Sequence, residues 1–134
     1  ARLPDDWLIV ANKILPASGR SFEIDFIAVG ERAVFAIDAK SRRGRIHGSD
    51  VQWVYADGSS ERSPLNKIDY VAKVLADRLR SSVPHLRDIS GHTVFGCIVL
   101  DGTTERPILR DPRAADGVVL VADAVEALRQ WDAR

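Results

Sequence analysis

The sequence lacks several features that point to particular classes of protein. It has one cysteine, Cys97, so no internal disulfide can form, and we expect a reducing, cytoplasmic setting. We expect neither a secretion signal nor membrane insertion, because no apolar run approaches the roughly 20 residues of a membrane-spanning helix. It also contains no methionine. We therefore expect residues 1–134 to form a single domain, excised from or processed out of a longer protein.

Net charge is absent as well, because 19 basic residues balance 19 acidic ones. Proteins that bind nucleic acid through their overall field carry an excess of positive charge. Any such affinity here must come from a local patch. The densest basic cluster comprises Arg42, Arg43, Arg45 and His47. These side chains either contact phosphates of a nucleic-acid backbone or belong to a solvated loop.

Common catalytic and metal-binding patterns are missing too. His47, His85 and His92 have no paired spacing and no cysteine partners, which argues against zinc. The serines show no triad order, and there is no glycine-rich phosphate loop. Cys97 lies within the apolar run of residues 93–100, where a buried thiol is the simplest interpretation.

Hydrophobic periodicity predicts the element order β-β-β-β-α-β-β-α, an α/β or α+β sandwich on a mixed sheet. Loops are expected at residues 15–21 and 103–117, which are rich in Pro, Gly or charge. Strands are predicted at residues 7–10, 22–29, 33–39, 51–55, 93–100 and 118–121. A first helix should begin at Ser63 and Pro64 and end near Arg80, and a second, capped by Asp123, should run through Val125, Leu128 and Trp131.

The helix after Ser63 has the clearest pattern in the chain. Its apolar stripe follows helical spacing and consists of Leu65, Ile68, Ala72, Leu75 and Leu79. Lys67, Lys73 and Arg78 fall on the other side, where the solvent-exposed reading is favoured.

Charged residues interrupt the two apolar strands that precede this helix. Glu23 and Asp25 lie in the first strand, and Asp38 and Lys40 lie in the second. Burying a carboxylate among apolar side chains costs several kcal/mol unless a cation or hydrogen-bond donors compensate it. These residues therefore require a functional or structural reason.

Their relative placement depends on the connecting turn. A loop of even length, either residues 31–32 or 30–33, makes paired positions sum to 63, so Asp25 lies opposite Asp38 and Glu23 opposite Lys40. The face that carries Phe22, Phe26 and Phe35 is expected to be core. A Glu23–Lys40 salt bridge and a pair of exposed strand-end acids are the simpler alternatives to a functional site.

Hydrolysis of a phosphodiester needs a Lewis acid, an activated water and positive charge near the phosphate. Asp25 and Asp38, with the carbonyl of Ala39, offer the oxygen ligands that Mg²⁺ or Mn²⁺ prefers. Lys40 lies two residues after Asp38 and so shares its face, where it can orient water or offset negative charge.

The segments EIDFIAV (residues 23–29) and AVFAIDAKSRRGRI (residues 33–46) resemble the PD-(D/E)XK nuclease superfamily, and within it the nuclease-related domain known as NERD. The resemblance implies a restriction-endonuclease-like mixed sheet flanked by helices, and a metal-dependent nuclease acting on DNA. It implies metal ligation by Asp25 and Asp38, catalysis by Lys40 and an assisting role for Glu23. Similar domains are often fused to helicase or kinase modules.

Three departures from the family pattern concern the site. Asp38 stands where Glu is commoner, Ser63 and Lys67 replace Asn and Gln, and the N-terminal helix with a further acid is expected to be missing. The alternative is a degenerate nuclease-like module that binds DNA or a neighbouring protein domain.

Overall fold

The computed structural model describes residues 3–17, 19–49, 51–82, 94–110 and 116–133. In these ranges the chain has an α+β fold of mixed β-sheets flanked by two α-helices, consistent with the restriction-endonuclease-like architecture predicted from the sequence. No helix in the described ranges is both long and apolar enough to cross a membrane.

The larger sheet has five strands. Its first three strands are antiparallel neighbours, and its last two run parallel to the third, which makes the sheet mixed. In spatial order the strands are β1 (Leu8–Ala17), β2 (Arg20–Val29), β3 (Val34–Ser41), β7 (Val94–Asp101) and β9 (Val118–Leu120).

The smaller sheet has four short strands beside the end of β3. Their spatial order is β6 (Ser60–Arg62), β5 (Gln52–Val54), β4 (His47–Gly48) and β8 (Ile108–Leu109). Strands β4, β6 and β8 were not predicted, because runs of two or three residues carry no detectable periodicity. Strand β8 lies within residues 103–117, which were predicted to be loop throughout.

Two helices pack on the larger sheet. Helix α1 (Pro64–Ser82) begins as predicted, since the main-chain N–H of Leu65 donates a 3.3 Å hydrogen bond to Oγ of Ser63. Helix α2 (Ala124–Asp132) follows a 3-10 turn at Val121–Asp123. The predicted cap at Asp123 is wrong: its side chain makes no capping bond, because its backbone (φ −101°, ψ −5°) is already helical.

The predicted loop at residues 15–21 is also wrong. Strand β1 continues to Ala17 and β2 starts at Arg20, with Leu15 paired to Phe22 and Pro16 to Ser21. Proline is tolerated there because β1 is an edge strand with no further neighbour in the described sheet. Pairing with β2 therefore overrides the loop-like local composition.

Two apolar cores lie on opposite sides of the sheet. The first, under α1, includes Ala36, Ile68 and Ile98. The second, under α2, includes Phe35, Cys97 and Leu128. Alternate residues of β3 thus enter different cores, as expected for a central strand covered on both faces.

Candidate active site

The hairpin between β2 and β3 has the register that the even loop predicted. Val29 pairs with Val34 and Phe26 with Ile37, so paired positions sum to 63. The turn spans residues 30–33, and the N–H of Gly30 donates a 2.9 Å hydrogen bond to the carbonyl of Ala33. The register prediction is therefore confirmed, and Asp25 and Asp38 follow directly where the ladder ends.

Strand β2 is irregular at Asp25. The β1–β2 pairing skips the position where Asn12 faces Asp25, and Asn12 has a positive φ of 55°. Ile24 and Ile27 both contact the first core, although regular alternation puts residues three apart on opposite faces. The expectation that Phe26 is core is wrong, since this residue is 40% exposed.

Beyond the last main-chain pair of β2 and β3, the Asp25 carboxylate accepts a hydrogen bond from β3. The N–H of Ala39 donates a 2.8 Å hydrogen bond to Oδ2 of Asp25. This contact fixes one carboxylate oxygen against the strand that carries Asp38 and Lys40, and the predicted site residues Asp25, Asp38 and Ala39 therefore lie together.

Asp38 experiences the strongest electrostatic perturbation in this group. Desolvation by burial raises the pKa of Asp38 from 3.8 to about 6, and a side-chain hydrogen bond and negative charge from Asp25 act in the same direction. The positive charges of Lys40 and Lys67 oppose the rise. Two carboxylates sharing a part-buried position hold a proton readily, and a cation between them relieves the same repulsion.

Lys40 does not pair with Glu23, as one alternative held. Its Nζ lies 3.8 Å from Oδ2 of Asp38 and 3.8 Å from Oε1 of Glu61. Glu23 is exposed on β2 opposite Ile14 of β1, and the β2–β3 ladder ends before it reaches Lys40. Lys40 instead lies against the β5–β6 hairpin, which carries Glu61.

Sequence reasoning missed Glu61, Tyr55 and Lys67 as neighbours of the site. The turn dipeptide Asp57-Gly58, which follows β5, is the sequence signal that could have indicated β6, the strand that places Glu61 opposite Trp53. Lys67 was assigned to the solvent face of α1; it is exposed, yet its charge also acts on Asp38.

The three predicted backbone-binding arginines have different surroundings. Arg42 stacks on Tyr55, with Cζ 4.6 Å from the ring centroid, and lies 3.9 Å from Glu61. Arg45 pairs with Glu105 at 3.3 Å. Arg43 is exposed and, within the described ranges, has no ion pair. It is therefore the arginine of this cluster with the least intramolecular neutralisation.

Oxygen ligands are the donor type that the site offers. Among the described residues, no group of three or more His, Cys, Asp and Glu side chains is arranged to hold a metal. Mg²⁺ commonly takes one or two carboxylates and completes its shell with water. Asp25 and Asp38 match that modest requirement.

Most of the chain matches a known protein family. The model described as "Nuclease-related domain" matches residues 1–100, which include both strands of the hairpin, Glu61 and α1. No curated protein and no solved structure matches the chain.

Proposed function

Because the chain belongs to the nuclease-related domain family, we propose that it is a Mg²⁺- or Mn²⁺-dependent nuclease that hydrolyses phosphodiester bonds of DNA. The observation that carries the proposal is the close pair of carboxylates at Asp25 and Asp38 with Lys40 beside it.

The carboxylate pair suits a divalent cation. Burial and the neighbouring Asp25 both disfavour the ionised form of Asp38, so a bound cation compensates an existing electrostatic cost. Asp25 and Asp38 would hold the ion, with the carbonyl of Ala39 as a further oxygen. The ion would supply Lewis-acid stabilisation of the phosphate.

In the reaction, the oxygen of water bonds to phosphorus and the water gives up a proton to the solvent, while the bond to one ester oxygen breaks and that oxygen leaves with a proton from the solvent. Lys40 directs its ammonium group toward the phosphate and the attacking water and offsets the growing negative charge. Glu23, exposed on the same strand as Asp25, is assigned an assisting role only.

The basic segment after Lys40 leads the substrate to this site. Arg43 is free to contact a phosphate, whereas Arg42 and Arg45 must exchange their contacts with Glu61 and Glu105 for phosphates. Contacts of this kind involve the backbone and carry no sequence information, so cleavage without sequence preference is expected.

The test combines metal binding and cleavage. Calorimetry with Mn²⁺ on the wild type and on Asp38→Asn is expected to show binding that the substitution weakens by tenfold or more, roughly the effect of losing one strong ligand contact. Plasmid cleavage should fall at least about 100-fold in Lys40→Ala.

Lys73→Ala is the matched control, because Lys73 is an exposed lysine of α1 whose charge acts on Asp69 rather than Asp38. Cleavage that survives Lys40→Ala contradicts the assignment. DNA binding without cleavage, and without Mn²⁺ binding that depends on Asp38, would instead identify a degenerate binding module.

A further inference from the structure

Glu61 of the smaller sheet contacts three polar side chains, and two of them come from the end of β3 in the larger sheet. Its Oε1 accepts a 2.5 Å hydrogen bond from the Tyr55 hydroxyl and lies 3.8 Å from Nζ of Lys40. Its Oε2 lies 3.9 Å from Nη2 of Arg42. Both cations come from the end of β3, whereas Glu61 and Tyr55 come from the smaller sheet.

The position of Glu61 is itself well defined. The Tyr55 ring is buried beneath Arg42, and Glu61 pairs in register with Trp53, which is fully buried. Burial and the bond to Glu61 raise the pKa of Tyr55 above its ordinary value, so the phenol remains a donor. Because its carboxylate is fixed by Tyr55, Glu61 restricts the conformations of the neighbouring Lys40 side chain.

Lys40 lies at the same distance from two carboxylates, Asp38 and Glu61. A cation on Asp38 cancels much of the attraction between Asp38 and Lys40. Glu61 is then the remaining carboxylate at ion-pair distance from Lys40 among the described residues. Without it, a long and flexible lysine side chain has little to keep it at the reacting phosphate.

We propose that Glu61, oriented by the Tyr55 hydroxyl, is a positioning residue that holds the Lys40 ammonium in place for phosphodiester hydrolysis. The inference rests on the proposed nuclease function and extends it to the smaller sheet. Because Glu61 acts through Lys40, its loss should lower the rate of the chemical step, whereas the accompanying release of Arg42 can only favour DNA binding.

Cleavage kinetics of Glu61→Gln and Tyr55→Phe provide the first readout. Loss of a residue that orients a catalytic group typically costs about 10–100-fold in activity. We expect kcat to fall in that range for Glu61→Gln and less for Tyr55→Phe, with KM unchanged or lower than in wild type because Arg42 is released. Glu61→Asp should recover part of the loss, and Glu126→Gln, an exposed glutamate of α2, is the matched control.

A double-mutant cycle of Glu61→Gln and Lys40→Ala distinguishes positioning of Lys40 from a non-specific effect of Glu61→Gln on the structure. In the Lys40→Ala background, Glu61→Gln should cause no further loss, because residues that act as a unit are non-additive. An equal loss in both backgrounds overturns the inference.

A second readout needs neither metal nor activity and is made in the Asp38→Asn background, where Glu61 is the remaining charged carboxylate at ion-pair distance from Lys40 among the described residues. The chain has only four lysines, Lys13, Lys40, Lys67 and Lys73, so ¹³C relaxation at lysine Cε is resolvable after selective labelling. Glu61→Gln should increase the mobility of the Lys40 side chain and leave that of Lys73 unchanged. Unchanged mobility at Lys40, or unchanged kcat, overturns the positioning role while leaving the nuclease proposal intact. If the wild-type protein itself does not cleave DNA, both the nuclease proposal and the positioning role of Glu61 are overturned.

Discussion

The main-chain N–H of Ala39 donates a 2.8 Å hydrogen bond to Oδ2 of Asp25, at the point where the β2–β3 ladder ends. The side chain replaces a main-chain acceptor and keeps the two strands together beyond their last regular pair. The same contact orients Asp25 toward Asp38, so strand pairing and assembly of the candidate site depend on one carboxylate.

Asp25→Asn should separate the role of Asp25 in strand pairing from its role in the candidate metal site. The amide oxygen can still accept from Ala39, and removal of the charge relieves repulsion with Asp38, so we expect stability to be unchanged or higher by up to about 1 kcal/mol. Asp25→Leu should cost about 1 kcal/mol because the acceptor is lost. Urea unfolding measures both, and Mn²⁺ calorimetry should show weakened binding in both. A large destabilisation of Asp25→Asn contradicts this account.

The raised pKa of Asp38 predicts a specific pH dependence of stability. In the folded state this pKa is about 6, above the ordinary 3.8, so the folded protein binds the proton more strongly than the unfolded chain does. The contribution of Asp38 to the free energy of unfolding therefore falls as pH rises from about 4 to about 6.

Asp38→Asn removes this titration. Urea unfolding at about pH 4.5 and about pH 7, without metal, should show a smaller decrease in stability for the variant than for the wild type. An identical pH dependence in the two proteins is the contrary result, and it implies an ordinary pKa for Asp38.

The turn of the site hairpin is held from the C-terminal end of the described chain. Asp132, buried at the end of α2, accepts hydrogen bonds from the N–H groups of Glu31, Arg32 and Ala33 at 2.8–3.0 Å. A Cβ on Gly30 would lie 2.5 Å from Oδ1 of Asp132, so glycine is needed there for close approach. The family match ends at residue 100, so this support comes from beyond it.

Asp132→Ala should therefore lower the free energy of unfolding by about 3 kcal/mol, because it leaves main-chain donors without their charged acceptor. Thermal or urea unfolding measures the loss. Asp123→Ala is the control: Asp123 is exposed and makes no capping bond, so a change within about 0.5 kcal/mol is expected. Equal effects of the two substitutions contradict a specific role for Asp132.

Cys97 should behave as a structural thiol. It is fully buried in the second core, and burial raises its pKa to about 12. Iodoacetamide at about pH 8 should modify the urea-unfolded chain readily and the native protein at least about 100-fold more slowly. Mass spectrometry follows the reaction, and rapid modification of the native protein is the opposing outcome.

Much of this fold is encoded locally. The α1 stripe of Leu65, Ile68, Ala72 and Leu75 is buried as its spacing predicted, and Ser63 caps the helix. The β2–β3 register follows from alternation and loop length, which act over neighbouring residues. These features were predictable because each depends on short-range geometry.

The irregularity at Asp25 and the ion pair of Lys40 with Glu61 could not be predicted from short-range geometry. The irregularity at Asp25 arises opposite Asn12 on another strand, and the Lys40 partner Glu61 comes from a separate sheet. The catalytic and metal-binding roles of Asp25, Asp38 and Lys40 remain predictions.

The sequence by itself thus determined the β2–β3 hairpin and, with a connecting loop of even length, its register, because side chains on a strand alternate with a period of two. Only the tertiary structure decided that Lys40 faces Glu61 rather than Glu23, and that the raised pKa belongs to Asp38. Ion pairing and desolvation depend on distances between segments far apart in the chain, and no local pattern specifies those distances.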